Sequence, residues 1–350
     1  MNTLYIGTYT RDESEGIYRC VFDDETGALE VRGVTGLIEN PSFLAAHPSG
    51  RYLYAVSETT EFEGQPGGGI YAYAVNREGR LAPLNRQPSQ GGAPCYVSVT
   101  PDGNYVLVAN YLGGNVALFP VEADGRLDEA SDVAQHEGSG PNESRQEGPH
   151  AHCVVVGPSG DRAFAADLGI DRVVGYRIDA GELVPAGTAS VAPGAGPRHL
   201  AFHPDGTRAY AINELDSTIT TFSYADGTLQ TGQTVGTLPD GFDGANTTAD
   251  IHVSADGRFL YGSNRGHDSI VVFSIHPENG TLSYVQHVST GGRTPRNFAL
   301  DPTGRYLLAA NQNSDTVVVF SIDVGSGRLT RTGQVLHVPS PVCVRFLPAA

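Results

Sequence analysis

Short apolar runs recur along this chain, each entered through a tight turn ending in glycine. They read HPSGRYLYAVS (47–57), TPDGNYVLVAN (100–110), GPSGDRAFAAD (157–167), HPDGTRAYAIN (203–213), SADGRFLYGSN (254–264) and DPTGRYLLAAN (301–311). The turn glycines Gly50, Gly103, Gly160, Gly206, Gly257 and Gly304 are spaced by 53, 57, 46, 51 and 47 residues, the period of a four-stranded blade. Glycine and proline are abundant (44 and 22), and no long stretch carries helical periodicity, so helix is expected to be scarce. The termini supply a further blade. Residues 341–348 align without gaps to 295–302, a strand that precedes a turn glycine, and residues 4–9 align to 53–58, a strand that follows one. The pattern predicts an all-β, seven-bladed β-propeller of four-stranded antiparallel blades, one domain over residues 1–350. Its last blade is closed by N- and C-terminal strands, which removes free sheet edges.

The repeat separates scaffold from candidate chemistry. Seven residues after the glycine stand Ser57, Asn110, Asp167, Asn213, Asn264 and Asn311, with Thr8 in the split blade. Small polar residues at a strand end hydrogen-bond local backbone, which predicts a scaffold role. One residue later the pattern breaks into Tyr9, Glu58, Tyr111, Leu168, Glu214, Arg265 and Gln312. A repeated architecture has no need of a different charge in each blade, so this ring reads as the lining of a site. Inner-strand starts diverge likewise, as Ser42, Cys95, His152, Arg198, Ala249, Arg296 and Val342, with His150 two residues before His152. Strand alternation would turn His150 and His152 to one side. Both rings fall at one mouth of the central channel, gathering His150, His152, Arg198, Glu214, Arg265, Arg296, Asn297 and Gln312. Three arginines at one mouth predict an anionic ligand held by planar guanidinium forks, unless each pairs with a neighbouring acid such as Glu214 or Glu58. The Gly/Pro-rich segment 136–149 leads into His150 as a candidate lid, with Arg145 and Gln146 as its contributors.

Charge narrows the partners. The 22 basic residues are all arginine against 39 acidic ones, a net charge of −17. That balance disfavours nucleic acid, and an acidic, lysine-free surface suits concentrated salt. Cys20, Cys95, Cys153 and Cys343 have no metal-ligand spacing and read as buried hydrophobes. With no leader-like start and no run of ~20 apolar residues, a cytoplasmic monomer or small homo-oligomer without membrane contact is expected.

Several ordered motifs, Gly148-Pro-His-Ala-His152, Gly196-Pro-Arg-His-Leu-Ala-Phe-His-Pro204, Asn213-Glu-Leu215, Asn264-Arg-Gly266 and Thr294-Pro-Arg-Asn-Phe298, together resemble the seven-bladed propeller lactonases. That family's best-known activity is 6-phosphogluconolactonase, and its superfamily is similar to carboxymuconate cyclases. The resemblance implies hydrolysis of a small anionic lactone, with His150, Glu214, Arg198 and Arg265 as catalytic residues. His152, Arg296, Asn297, Gln312 and Arg145 would contact substrate. His150 or Glu214 would act as general base, and Arg198 and Arg265 would hold the phosphate or the developing oxyanion. No Gly-x-Ser-x-Gly elbow suggests a covalent nucleophile, and neither metal nor cofactor is expected. A carboxylated lactone, a cycloisomerase reaction and a non-catalytic interaction propeller remain as rivals. WD40 and kelch families fit poorly in a chain without tryptophan.

Overall fold

The computed structural model describes residues 1–11 and 13–348. These form seven four-stranded antiparallel sheets and one two-stranded hairpin (Glu61–Phe62 with Gln65–Pro66), with two short 3₁₀ turns as the helical content. Blade 1 runs from Leu44–Ala46 through Tyr52–Ser57 and Gly69–Val75 to Leu81–Pro88. Blades 2 to 6 begin with inner strands Pro94–Val99, Ala151–Val156, Pro197–Phe202, Thr247–Val253 and Pro295–Leu300. In blade 7 the C-terminal strand Pro341–Phe346 lies innermost and pairs antiparallel with Asn2–Thr8, Leu4 opposite Phe346 and Ile6 opposite Val344. Neighbouring inner strands touch in ring order, and Pro341–Phe346 reaches Leu44–Ala46, so the circle closes.

Burial accounts for the sequence pattern. The second strand of each blade is covered on both faces by adjoining sheets, so it is apolar nearly throughout, as in Tyr105–Asn110 and Tyr306–Asn311. Outermost strands such as Leu29–Thr35 are largely exposed and mixed in character. Apolar clusters fill the spaces between blades, for example Tyr261, Val272, Phe298 and Phe320. Polar links lock neighbours together: the hydroxyls of Tyr5, Tyr54, Tyr210 and Tyr261 donate to the carbonyls of Gly79, Gly125, Gly280 and Gly327 in outer turns of the next blade. The seventh-position residues are scaffold as expected. Asn110 Nδ2 donates to Ser89 O (2.8 Å), Asn264 Nδ2 to Thr237 O (2.9 Å) and Ser57 Oγ to Glu39 O (2.7 Å).

One irregularity repeats where the chemistry sits. The pairing of the inner strand slips at its start in blades 2, 3, 4 and 6, and the skipped residues are Cys95, His152, Arg198 and Arg296. Blade 5 slips between Thr248 and Ile251, and the split blade slips at Gly7/Thr8, skipping Val342. A bulge leaves one residue unpaired and re-aims its side chain. Here the bulges of blades 2, 3 and 6 turn Cys95, His152 and Arg296 into a common cavity.

Candidate active site

The bulged residues and the strand ends bound a cavity of about 350 Å³ at one mouth of the channel, lined in part by Glu58, Cys95, Tyr111, Arg145, His152 and Glu214. Arg265, Arg296 and Thr247 complete it. Deeper in, Phe43 stacks on Tyr96 with ring centres 4.0 Å apart, and both rings meet His199 edge-on.

Glu214 is the electrostatic hub. It is buried, with Oε1 2.5 Å from Arg145 Nη2 and Oε2 3.0 Å from Arg198 Nε and 2.9 Å from Arg265 Nη2. Burial favours its neutral form, but Arg265, Arg198 and Arg145 outweigh it and bring the pKa down to about 2. A carboxylate so strongly held is a fixed counter-ion and a weak proton acceptor. Arg198, itself fully buried, donates from Nη1 to Ala249 O (2.5 Å) and meets His199 Nε2 at 3.2 Å. Burial, with Arg265 and Arg296 nearby, lowers its pKa to about 9, so it stays charged at neutral pH. Because guanidinium only donates, His199 accepts at Nε2 and gives its Nδ1–H to Asp250 Oδ1 at 2.7 Å. Asp250 also accepts from Asn297 Nδ2 (2.6 Å) and contacts His252 Nε2 (3.0 Å). A buried Asp–His–Arg line thus orients the arginine that grips Glu214.

Arg296 differs from its three neighbours. Among the described residues it has no carboxylate within ion-pair distance and no hydrogen-bond acceptor; its guanidinium lies over the Tyr9 ring, 5.4 Å from the centroid, at the cavity edge. Burial works against its charge, but Tyr9, Glu58 and Glu214 more than compensate and hold its pKa above the ordinary value. Opposite in sign stands Glu58, partly exposed to the cavity, whose Oε1 and Oε2 lie 3.0 and 3.1 Å from the Tyr9 hydroxyl. Three lining guanidiniums, with Arg198 behind Glu214, against two carboxylates make this a positive pocket in a chain of net charge −17.

The remaining expected residues fall elsewhere. His152 lines the cavity and sits 3.7 Å from the Cys95 thiol; burial, followed by Arg198 and His199, pushes its pKa well below the usual histidine value. Burial likewise raises the Cys95 thiol, so the two form a neutral pair rather than a thiolate–imidazolium couple. His150 does not share the orientation of His152, because the bulge between Ala151 and Cys153 breaks the alternation. It is stacked on Tyr111 at 4.5 Å and lies off the cavity wall, with its backbone N–H donated to Asp167 Oδ1 (2.7 Å) and its ring nitrogens near Tyr111 O and Glu147. Asn297 is fully engaged deeper in the channel, donating to Asp250 and accepting from Val344 N. Leu168 and Gln312 leave the ring because the chain enters 3₁₀ turns there, closed by Asp171 and Asp315 in left-handed conformation. In segment 136–149, Arg145 reaches the cavity. Gln146 instead is buried and pins the segment to Leu168 O (2.8 Å) and Asp171 (2.7 Å). Glu58, Tyr9 and Tyr111 belong to the same repeat-breaking ring as Glu214, a signal already present in the sequence. All four cysteines are buried and free, as expected.

A closed seven-bladed ring with one bulge-built cationic pocket defines the class of protein. The chain belongs to the lactonase family of seven-bladed β-propellers, whose family model matches residues 3–346. A 6-phosphogluconolactonase of Bacillus subtilis is 42% identical over 346 residues, covering 98% of this chain and 97% of the relative. A 6-phosphogluconolactonase of Formosa agariphila is 35% identical, with 85% and 86% covered. Among solved structures, a periplasmic gluconolactonase of Pseudomonas aeruginosa superposes with a TM-score of 0.93 at 37% identity, covering 100% of this chain and 99% of that one.

Proposed function

We propose that the chain hydrolyses a small anionic sugar lactone, 6-phospho-D-glucono-1,5-lactone, to the open-chain acid. The observation that carries this reading is Arg296, a charged guanidinium at the cavity with no carboxylate within ion-pair distance among the described residues. Arg198 and Arg265 are already committed to Glu214, so they act as scaffold for positive potential more than as direct ligands. An incoming phosphate would pair with Arg296 and compete for Arg145, which is partly exposed where it meets Glu214. The 6-phosphogluconolactonase names of close relatives support the same substrate.

The test is a coupled assay on freshly generated phosphogluconolactone, corrected for spontaneous opening, with unphosphorylated glucono-1,5-lactone alongside. Arg296→Gln is expected to raise KM for the phosphorylated lactone by about 10- to 100-fold, the worth of a hydrogen bond to a charged group, and to change KM for the neutral lactone far less. Equal effects on both substrates would refute phosphate binding by Arg296.

Lysine-free acidity also supports a setting of concentrated salt, and we place the enzyme in the cytoplasm. Among the described residues no helix is long and apolar enough to cross a membrane.

A further inference from the structure

We infer that Glu58, held by Tyr9, is the general base of the reaction proposed above, whereas Glu214 and the arginines supply the charged frame around it. This inference rests on lactone hydrolysis being the activity. Four groups near the mouth have basic atoms, and geometry separates them. Glu214 is gripped on both oxygens by three guanidiniums. His150 is stacked behind Tyr111, with its ring nitrogens turned to Tyr111 O and Glu147. His152 is buried, presents Nδ1 to a thiol, and is kept neutral with little appetite for a proton. Glu58 alone combines cavity exposure, the absence of an ion pair within 4 Å among the described residues, and a single side-chain donor, the Tyr9 hydroxyl, leaving lone pairs open to the pocket. Tyr9 is suited to hold it: burial first, then Glu58 among its neighbours, keeps the phenol protonated, so it remains a donor.

The chemistry balances with water as sole co-reactant. Glu58 takes a proton from a water molecule as its oxygen forms a bond to the lactone carbonyl carbon. The carbonyl oxygen becomes an oxyanion facing the guanidinium cluster. When the carbonyl re-forms, the ring C–O bond breaks and the protonated Glu58 returns its proton to the leaving alkoxide. The product carboxyl group then loses its proton to solvent, and the enzyme is restored.

The experiment compares wild type, Glu58→Gln, Tyr9→Phe and Glu58→Ala, each checked for fold by circular dichroism and melting temperature. Glu58→Gln is expected to lower kcat by about 10²- to 10⁴-fold, the usual contribution of general base catalysis, with KM within about threefold. The acid limb of its kcat/KM profile should vanish. Formate should restore turnover to Glu58→Ala saturably, above its effect on the uncatalysed opening. Tyr9→Phe, which removes the donor that positions the carboxylate, should lower kcat by less than Glu58→Gln does, with KM within about threefold. A folded Glu58→Gln with kcat near wild type overturns the assignment. So does a folded Glu58→Ala whose turnover formate fails to raise above the uncatalysed opening, which decides the matter if Glu58→Gln fails to fold. Wild type that opens only unphosphorylated lactone refutes the substrate reading and leaves the Glu58 comparison to be made on that lactone. Wild type that opens neither refutes both.

Discussion

At the scale of single residues, the site shows how burial and neighbouring charge give similar side chains different work. Glu214 and Glu58 line one cavity, yet three guanidiniums lie within ion-pair distance of the first, whereas the second has none there among the described residues. The arginines divide likewise: three lie within ion-pair distance of Glu214, whereas Arg296 has no such carboxylate among the described residues. Buried neutral histidine adds a pH signature. In the folded chain burial first, then Arg198, depresses the His199 pKa from 6.5 to about 4. Between these values the unfolded chain binds a proton that the folded chain refuses, so stability is complete above about 6.5 and declines as pH falls toward about 4. Glu214, lowered from 4.5 to about 2, extends the decline in that lower window, since its stabilising charge is lost as it protonates. Melting temperatures taken from pH 8 downward should fall through both windows, and His199→Gln should show a shallower slope between 6.5 and 4. An unchanged slope would mean that His199 does not stay neutral in the fold.

At the scale of elements, the bulge at the start of the inner strand in blades 2 to 7 is the device that shapes the site. In blades 2, 3, 4 and 6 it lets one residue depart from strand alternation, and those blades fill the position with Cys95, His152, Arg198 and Arg296. The 3₁₀ turns beginning at Leu168 and Gln312 do the reverse, withdrawing two blades from the ring of strand ends. Blade-to-blade tyrosines hold the rim. Tyr261 is buried and donates to Gly327 O at 3.1 Å, so Tyr261→Phe keeps the packing and loses one hydrogen bond. Chemical denaturation should report a loss of about 1 kcal/mol with an unchanged m-value. A loss near zero would assign the interlock to packing alone.

At the scale of the whole molecule, closure and charge set the conditions of stability. The ring is sealed by pairing between Asn2–Thr8 and Pro341–Phe346, the two ends of the chain. Its surface carries the excess of acid that a net charge of −17 requires, and the resulting self-repulsion is screened only when the Debye length shortens to ~3 Å near 1 M salt. Melting temperature should therefore rise steadily from about 0.1 to 1 M potassium chloride over that change in screening length. A flat response would show that the lysine-free surface has no tie to salt.

Fold and blade count were legible from the chain alone, because turn glycines and double-sided burial impose a repeated apolar pattern whose period fixes the blade and whose ends reveal the shared sheet. The neighbourhood of the site was legible too, since positions that break a repeat stand out against it: Glu58, Tyr111, Glu214 and Arg265 all reach the cavity. Roles within it were not. Whether an arginine meets a glutamate or faces open space depends on side chains arriving from blades remote in sequence, as Arg145 and Arg265 do at Glu214. Whether His150 turns inward depends on a bulge that a period of two conceals. Alternation and spacing are local properties of the backbone, whereas charge compensation and burial arise only when the ring has closed.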